Sequence, residues 1–338
     1  MTSKNNLSSG GKARSFVSLL LLPLLITGCA SQQSLQQTSL PQTSAQQSST
    51  QIGAQALSLT QARRGFKTVL LPQTDRKEPV EQAPPQIFRT VRYPAASGAL
   101  AAYLSPDPHD GKKHPAIIWI TGGDCNSIGD VWSPSSRDND QTAAAYRKVG
   151  IIMVFPSLRG GNTNPGIKEG FLGEVDDVLA ARRYLEKQPY VDPGRIYLGG
   201  HSTGGTLALL VAESTNRFRS VFAFGPVANV ARYGSDSGFL PFDIRNAKEV
   251  RLRSPGYWLA SVQSPTWVIE GEKRSNASSL RAMKALSTNP QLHFVEISGA
   301  DHFTTLAPTN ELIAMKILSD IGNQIFLTED EVNANFMR

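Results

Sequence analysis

The stretch Arg195-Ile196-Tyr197-Leu198-Gly199-Gly200-His201-Ser202-Thr203-Gly204-Gly205 decides how this chain reads. It opens as an apolar strand, turns at Ser202, and continues as the small-residue start of a helix. Within it, Gly200-His201-Ser202-Thr203-Gly204 fits the G-x-S-x-G pattern. A serine on a strained strand-to-helix turn presents its Oγ above the edge of a sheet. Glycines two residues to either side allow strand and helix to pack closely around that turn. The helix that follows aims its first N–H groups at developing negative charge. Ser202 is therefore the expected nucleophile.

Outward from this turn, strands and helices alternate. Residues 86–93 and 98–104 read as two early strands, and 115–120 as an apolar strand followed by Gly122-Gly123. Residues 141–149 read as a helix, 151–155 as a buried strand, and 172–188 as a helix with Val175, Val178, Leu179 and Leu185 on related turns. After the elbow, strands are expected at 220–224, 265–269 and 292–297, with helices at 203–213, 277–286 and 309–321. This alternation predicts an α/β fold, a mostly parallel sheet with helices on both faces.

The elbow in its longer context, from Asp192 to Thr206, resembles the catalytic domain of the prolyl oligopeptidase family within the α/β-hydrolases. Pro156-Ser157-Leu158-Arg159-Gly160-Gly161 and Gly173-Glu174-Val175-Asp176-Asp177 resemble the preceding segments of that family. The resemblance covers residues 85–325. It implies an α/β-hydrolase, here with eight expected strands, and a serine hydrolase that cleaves a peptide or ester bond through an acyl-enzyme. Peptidases of the family usually carry an N-terminal β-propeller, for which this sequence shows no counterpart. An esterase or small-peptide role is thus as open as oligopeptide cleavage.

The base, the acid and the oxyanion donors follow from chain order. His302 lies in the loop between a late strand and the last expected helix, after Ser202, where α/β-hydrolases place the base. Of the other histidines, His201 sits inside the elbow as packing support, His114 and His109 border a loop, and His293 lies in a strand. The family's acid falls three residues after the small residue that ends the seventh strand. Here that residue is Gly271, and the third position beyond it is Arg274. Glu270 is the leading candidate acid, because a carboxylate ending an apolar run is buried and must be paired. Glu272 is the alternative and Asp301 a weaker one. For the oxyanion hole, one donor is expected from the Thr203 backbone N–H and the other from Gly123 or Asp124. Cys125, beside them, reads as a small packed residue. The insertion at 225–263 is rich in aromatics and reads as a cap over the site. The absent usual acid also motivates an alternative: a non-catalytic hydrolase-fold envelope lipoprotein that binds a partner or ligand.

The chain has 338 residues, 40% hydrophobic and 18% charged, which excludes collagen, coiled-coil and wholly disordered classes. The net charge of +6 falls to +3 beyond residue 28, with no basic cluster, so nucleic acid is not an expected partner. No His/Asp/Glu spacing argues for a metal, and no cofactor is expected. Lys4, Lys12 and Arg14 precede an apolar run at 16–26 that ends in Gly28-Cys29. This resembles a bacterial lipoprotein signal over residues 1–28, with Cys29 the lipidated residue. Ala30, rather than Asp, then points to the outer membrane, facing the periplasm. From Ser31 to Gln55, 18 of 25 residues are Ser, Thr or Gln, too polar to form a core. Residues 29–63 are accordingly expected to be a disordered linker reaching roughly 30 Å, and residues 64–338 the catalytic domain, which acts on a small peptide or ester.

Overall fold

The computed structural model describes residues 57–74, 77–234, 239–322 and 325–337. The expected signal segment, Cys29 and most of the linker lie outside the described residues. Eight strands form one sheet: β1 (Arg89–Ala95), β2 (Gly98–Leu104), β3 (His114–Ile120), β4 (Ile152–Pro156), β5 (Val191–His201), β6 (Val221–Phe224), β7 (Thr266–Lys273) and β8 (Leu292–Asp301). Their spatial order is β1-β2-β4-β3-β5-β6-β7-β8. The β1–β2 and β2–β4 pairs are antiparallel, and every pair from β4 to β8 is parallel. This is the mostly parallel, eight-stranded α/β-hydrolase sheet.

The period of two along each strand divides the core between two faces. In β3, Ala116, Ile118 and Ile120 join one cluster while Ile117 and Trp119 join the other; in β6, Val221 and Ala223 oppose Phe222 and Phe224. The first face is covered by α3 (Glu174–Leu185), α4 (Thr203–Ala212) and α6 (Ala277–Leu286), counted after α1 (Leu59–Arg63) and α2 (Ala144–Lys148) and on either side of α5 (Ala247–Arg251). The second is covered by α2, α7 (Leu306–Ser319) and α8 (Glu329–Phe336). Because the end of β5 and the whole of α4 are buried, the elbow is anchored in the core, with Ser202 half-buried at the junction.

Some boundaries differ from the sequence reading. The linker expected to run to residue 63 gives way to folded chain earlier. Ser58 forms a capping box with Gln61 at the start of α1, and Leu59 is fully buried. Arg63, expected in the linker, donates to the carbonyls of Phe171, Leu172 and Leu252. A five-residue helix is too short to show a period, so its anchoring depends on these distant partners. The expected helix at 141–149 shrinks to α2 because Ala143 has a positive φ of 45°. α8 has no counterpart among the helices expected from the sequence.

The two family-like segments before the elbow meet in the structure. Asp177 accepts from the Arg159 backbone N–H (3.0 Å), from its Nε (2.8 Å) and from its Nη2 (2.9 Å). Asp177 is fully buried and Arg159 nearly so. The pair fixes the loop after β4 against α3. It has a structural role, supporting residues that line the cavity described below.

Candidate active site

The Ser202 turn is strained, and its neighbours explain why the strain persists. Ser202 has φ 56° and ψ −114°, a region that costs a non-glycine residue about 1–3 kcal/mol. Its N–H donates to Phe224 O on β6 at 2.8 Å, and its carbonyl accepts from Thr206 N at 2.9 Å, so both sides of the turn are held. A Cβ at Gly200 would lie 2.4 Å from Gly204 O, and one at Gly204 would lie 2.2 Å from Ile120 O. The spaced glycines of the motif are thus a packing requirement.

The parallel register brings the remaining groups to the same edge. His201, Phe224 and Ile269 share a rung across β5, β6 and β7. One residue further on stand Ser202, Gly225 and Glu270. With strands about 4.8 Å apart, Ser202 and Glu270 lie roughly 10 Å apart across the sheet edge, a gap an imidazole can bridge. His302, one residue beyond β8, supplies it. Its Nδ1 lies 2.9 Å from Glu270 Oε2. That contact uses Nδ1 and leaves Nε2 as the nitrogen able to take a proton from Ser202.

Glu270 is 1% exposed. Its Oε1 accepts from Gly271 N at 2.8 Å, and its Oε2 accepts from Asn276 N at 2.9 Å as well as from His302. Three N–H groups offset the cost of burying the charge. Asn276 also donates its side-chain amide to Gly225 O at 2.9 Å. Gly225, with φ 60°, leaves no room for a side chain: a Cβ there would lie 2.5 Å from His302 Cε1 and 3.0 Å from Glu270 Oε2. Neither Asn276 nor Gly225 stood out in the sequence. Gly225 is required by the rung, which needs a glycine beside any imidazole crossing β6, whereas Asn276 stands at the start of α6 and carries no such signal.

The other acid candidates point elsewhere. Glu272 is exposed and accepts from Gly299 N (2.9 Å) and Ser298 Oγ (3.3 Å), bonds that hold its carboxyl below the usual range. Glu272, the alternative acid, thus bonds Ser298 and Gly299, and the contact with His302 is made by Glu270. The β7–β8 register shifts after Gly271, and the bulge turns Glu272 outward. Asp301 accepts from Phe303 N and Thr304 N in the turn beyond β8 and pairs with Arg274 at 3.1 Å. Arg274, at the position of the usual acid, is mostly exposed.

His201 is 1% exposed, and its Nε2 lies 2.9 Å from His302 O. Burial, with the nearby His302, lowers its pKa to about 3, so it is neutral and pins the backbone of the candidate base. Thr203 Oγ1 donates to Gly123 O at 2.8 Å, tying the 122–124 loop to the helix start.

A cavity of about 590 Å³ opens beside Ser202 and Thr203, bordered by Gly123, Asp124 and Cys125 on one side and by Phe171, Tyr233, Phe239 and Pro241 on the other. The last three come from the insertion between β6 and β7, so that insertion walls the cavity. Burial pushes the Cys125 thiol far up, which keeps it protonated and inert. Asp124 pairs with Lys168 at 3.2 Å at the cavity edge. The chain after α1 clasps both walls: Leu71 N donates to Pro241 O and Gln73 Nε2 to Lys168 O, each at 2.8 Å. Arg253, one of the arginines of the insertion, is fully buried against Glu249 and Thr68 and does not face the cavity.

Residues 138–286 match the prolyl oligopeptidase family, a span that includes Ser202 and Glu270. Over 201 residues the chain is 28% identical to dipeptidyl-peptidase 5 of Porphyromonas gingivalis, covering 54% of this chain and 29% of that protein. Over 150 residues it is 32% identical to the S-formylglutathione hydrolase of Mus musculus, covering 38% of this chain and 51% of that one. Among solved structures, a puromycin-hydrolyzing peptidase of Mycobacterium tuberculosis superposes with a TM-score of 0.55 at 18% identity, over 71% of this chain and 40% of that one; this likeness shows the fold. The chain thus spans between about a third and a half of the length of these proteins.

Proposed function

We propose that this chain, which carries a prolyl oligopeptidase family match across its elbow and candidate acid, is a serine hydrolase. The observation that carries the reading is the contact of the His302 Nδ1 with the buried Glu270 carboxylate at 2.9 Å, on the sheet edge that presents Ser202. Ser202 Oγ attacks the substrate carbonyl while His302 Nε2 takes its proton. Glu270 holds the imidazole in the tautomer with hydrogen on Nδ1 and stabilises the imidazolium as it forms. The oxyanion is held by the Thr203 N–H and by an N–H of the Gly123–Asp124 loop. Collapse breaks the bond to the leaving group, which departs with the proton from Nε2. Water, activated by the same nitrogen, then releases the acyl group and restores Ser202.

The absent aspartate at position 274 no longer favours a non-catalytic binding lipoprotein, because Glu270 occupies the corresponding place beside the imidazole. The aromatic and proline walls of the cavity suit an apolar group on the acyl side of the scissile bond. The peptidase relatives support an amide substrate, and the S-formylglutathione hydrolase supports an ester. The test is hydrolysis of one apolar acyl group presented as a p-nitrophenyl ester and as aminoacyl and dipeptidyl p-nitroanilides. Turnover of at least one is expected; a folded protein inert toward all three counts against the reading.

We further propose that the enzyme is a lipoprotein anchored through Cys29 to the outer membrane and facing the periplasm. The basic start, the apolar run at 16–26, Gly28-Cys29 and the uncharged Ser/Gln-rich stretch support this. Full-length protein is expected to partition into detergent on phase separation, and Cys29→Ser into the aqueous phase; equal partitioning of the two would contradict the anchor.

A further inference from the structure

Phe303 follows the candidate base and is substantially in water, 42% exposed. Its centroid lies 5.1 Å from that of His302 at 77°, and 5.5 Å from that of His201 at 57°. The two histidine rings are themselves 4.5 Å apart. Phe303 thus caps the outer side of a histidine pair whose inner member is fully covered. Its backbone is fixed, because Phe303 N and Thr304 N both donate to Asp301 Oδ1 and His201 bonds the preceding carbonyl. It does not border the cavity beside Ser202, whose aromatics are Phe171, Tyr233 and Phe239.

Chemistry places the other half of the substrate here. His302 must deliver its proton to the leaving atom, so the leaving group lies against the imidazole during acylation. A rigid, half-exposed aromatic ring beside that point offers apolar surface to whatever departs, at little ordering cost.

We propose that Phe303 is a specificity determinant on the leaving-group side, a platform that selects substrates with an apolar or aromatic group after the scissile bond. This rests on the serine-hydrolase reading of Ser202 and His302. It assigns the substrate apolar groups on both sides of the bond: one in the cavity of the insertion, one on Phe303.

The leaving group is absent during deacylation, and this separates a platform from a packing residue. Methyl and cyclohexylmethyl esters of one apolar acid give the same acyl-enzyme from two alcohols that differ in apolar bulk. In full-length Phe303→Ala, kcat/KM for the cyclohexylmethyl ester is expected to fall about tenfold, the scale of one aromatic contact. The methyl ester is expected to change less than about twofold and the deacylation rate constant not at all, with Phe303→Leu recovering part of the loss. An equal fall for both esters, or a fall in deacylation, overturns the proposal and leaves Phe303 as support for His302. A wild-type protein acylated by neither ester overturns the serine-hydrolase reading and this inference with it.

Discussion

Ser202→Ala is expected to lower turnover of any ester or amide substrate by about 10⁴- to 10⁶-fold while leaving the fold unchanged. The methyl group that remains has no proton to give and no lone pair to attack with. What survives is binding in the cavity and the oxyanion donors at Thr203 and the 122–124 loop, which by themselves accelerate attack by water by about 10³- to 10⁴-fold. Stability is expected to hold because the strain at this position belongs to the backbone. The φ of 56° is imposed by the bonds to Phe224 O and Thr206 N and by the glycine contacts on both sides, none of which involves Oγ. Steady-state kinetics with a matched thermal melt checks both halves. A variant retaining more than about a tenth of wild-type turnover would assign the chemistry to another group.

Glu270→Gln is expected to lower kcat by about 10³- to 10⁴-fold. The carboxylate receives three N–H groups, from His302, Asn276 and Gly271. An amide of the same shape can accept on one atom only, and its NH₂ must face at least one of those donors. If the NH₂ takes the Oε2 position, it confronts Asn276 N and favours the His302 tautomer with hydrogen on Nε2, which cannot accept from Ser202. If it takes the Oε1 position, it faces Gly271 N, and an acceptor without charge remains to stabilise the imidazolium. Glu270→Asp tests reach: the carboxylate sits within β7, four residues before the usual site, and the longer side chain is what brings it to the imidazole. Its kcat is expected to lie between those of Glu270→Gln and the wild type. A Glu270→Gln enzyme within threefold of wild type would exclude Glu270 as the group that orients the base.

The elbow was legible because each of its residues satisfies two demands at once. Gly200 and Gly204 are required by packing and Ser202 by chemistry, so the pattern and the strand-to-helix context agree. His302 was legible from chain order. The acid was legible only as a ranking: Glu270 leads because it ends an apolar run, but Glu272 and Asp301 are carboxylates equally within reach by sequence. Parity would place Glu270 and Glu272 on one face; the register shift between Gly271 and Lys273 separates them. Asp301 is withdrawn by a turn whose N–H groups it caps. Such choices depend on β7–β8 pairing and on a single bulge, which no local pattern encodes. Gly225 and Asn276 were invisible for the same reason: their importance comes from neighbours across strands. The early start of the folded chain was hidden because Leu59 and Arg63 find their partners more than a hundred residues away.

The most direct test of an activated Ser202 is intact-protein mass after full-length protein meets a fluorophosphonate, with peptide mapping and Ser202→Ala as control. One equivalent of label is expected on the peptide bearing Ser202 in the wild type and none in the variant. A well-folded wild-type protein that stays unlabelled, or label that persists in Ser202→Ala, would contradict an activated Ser202.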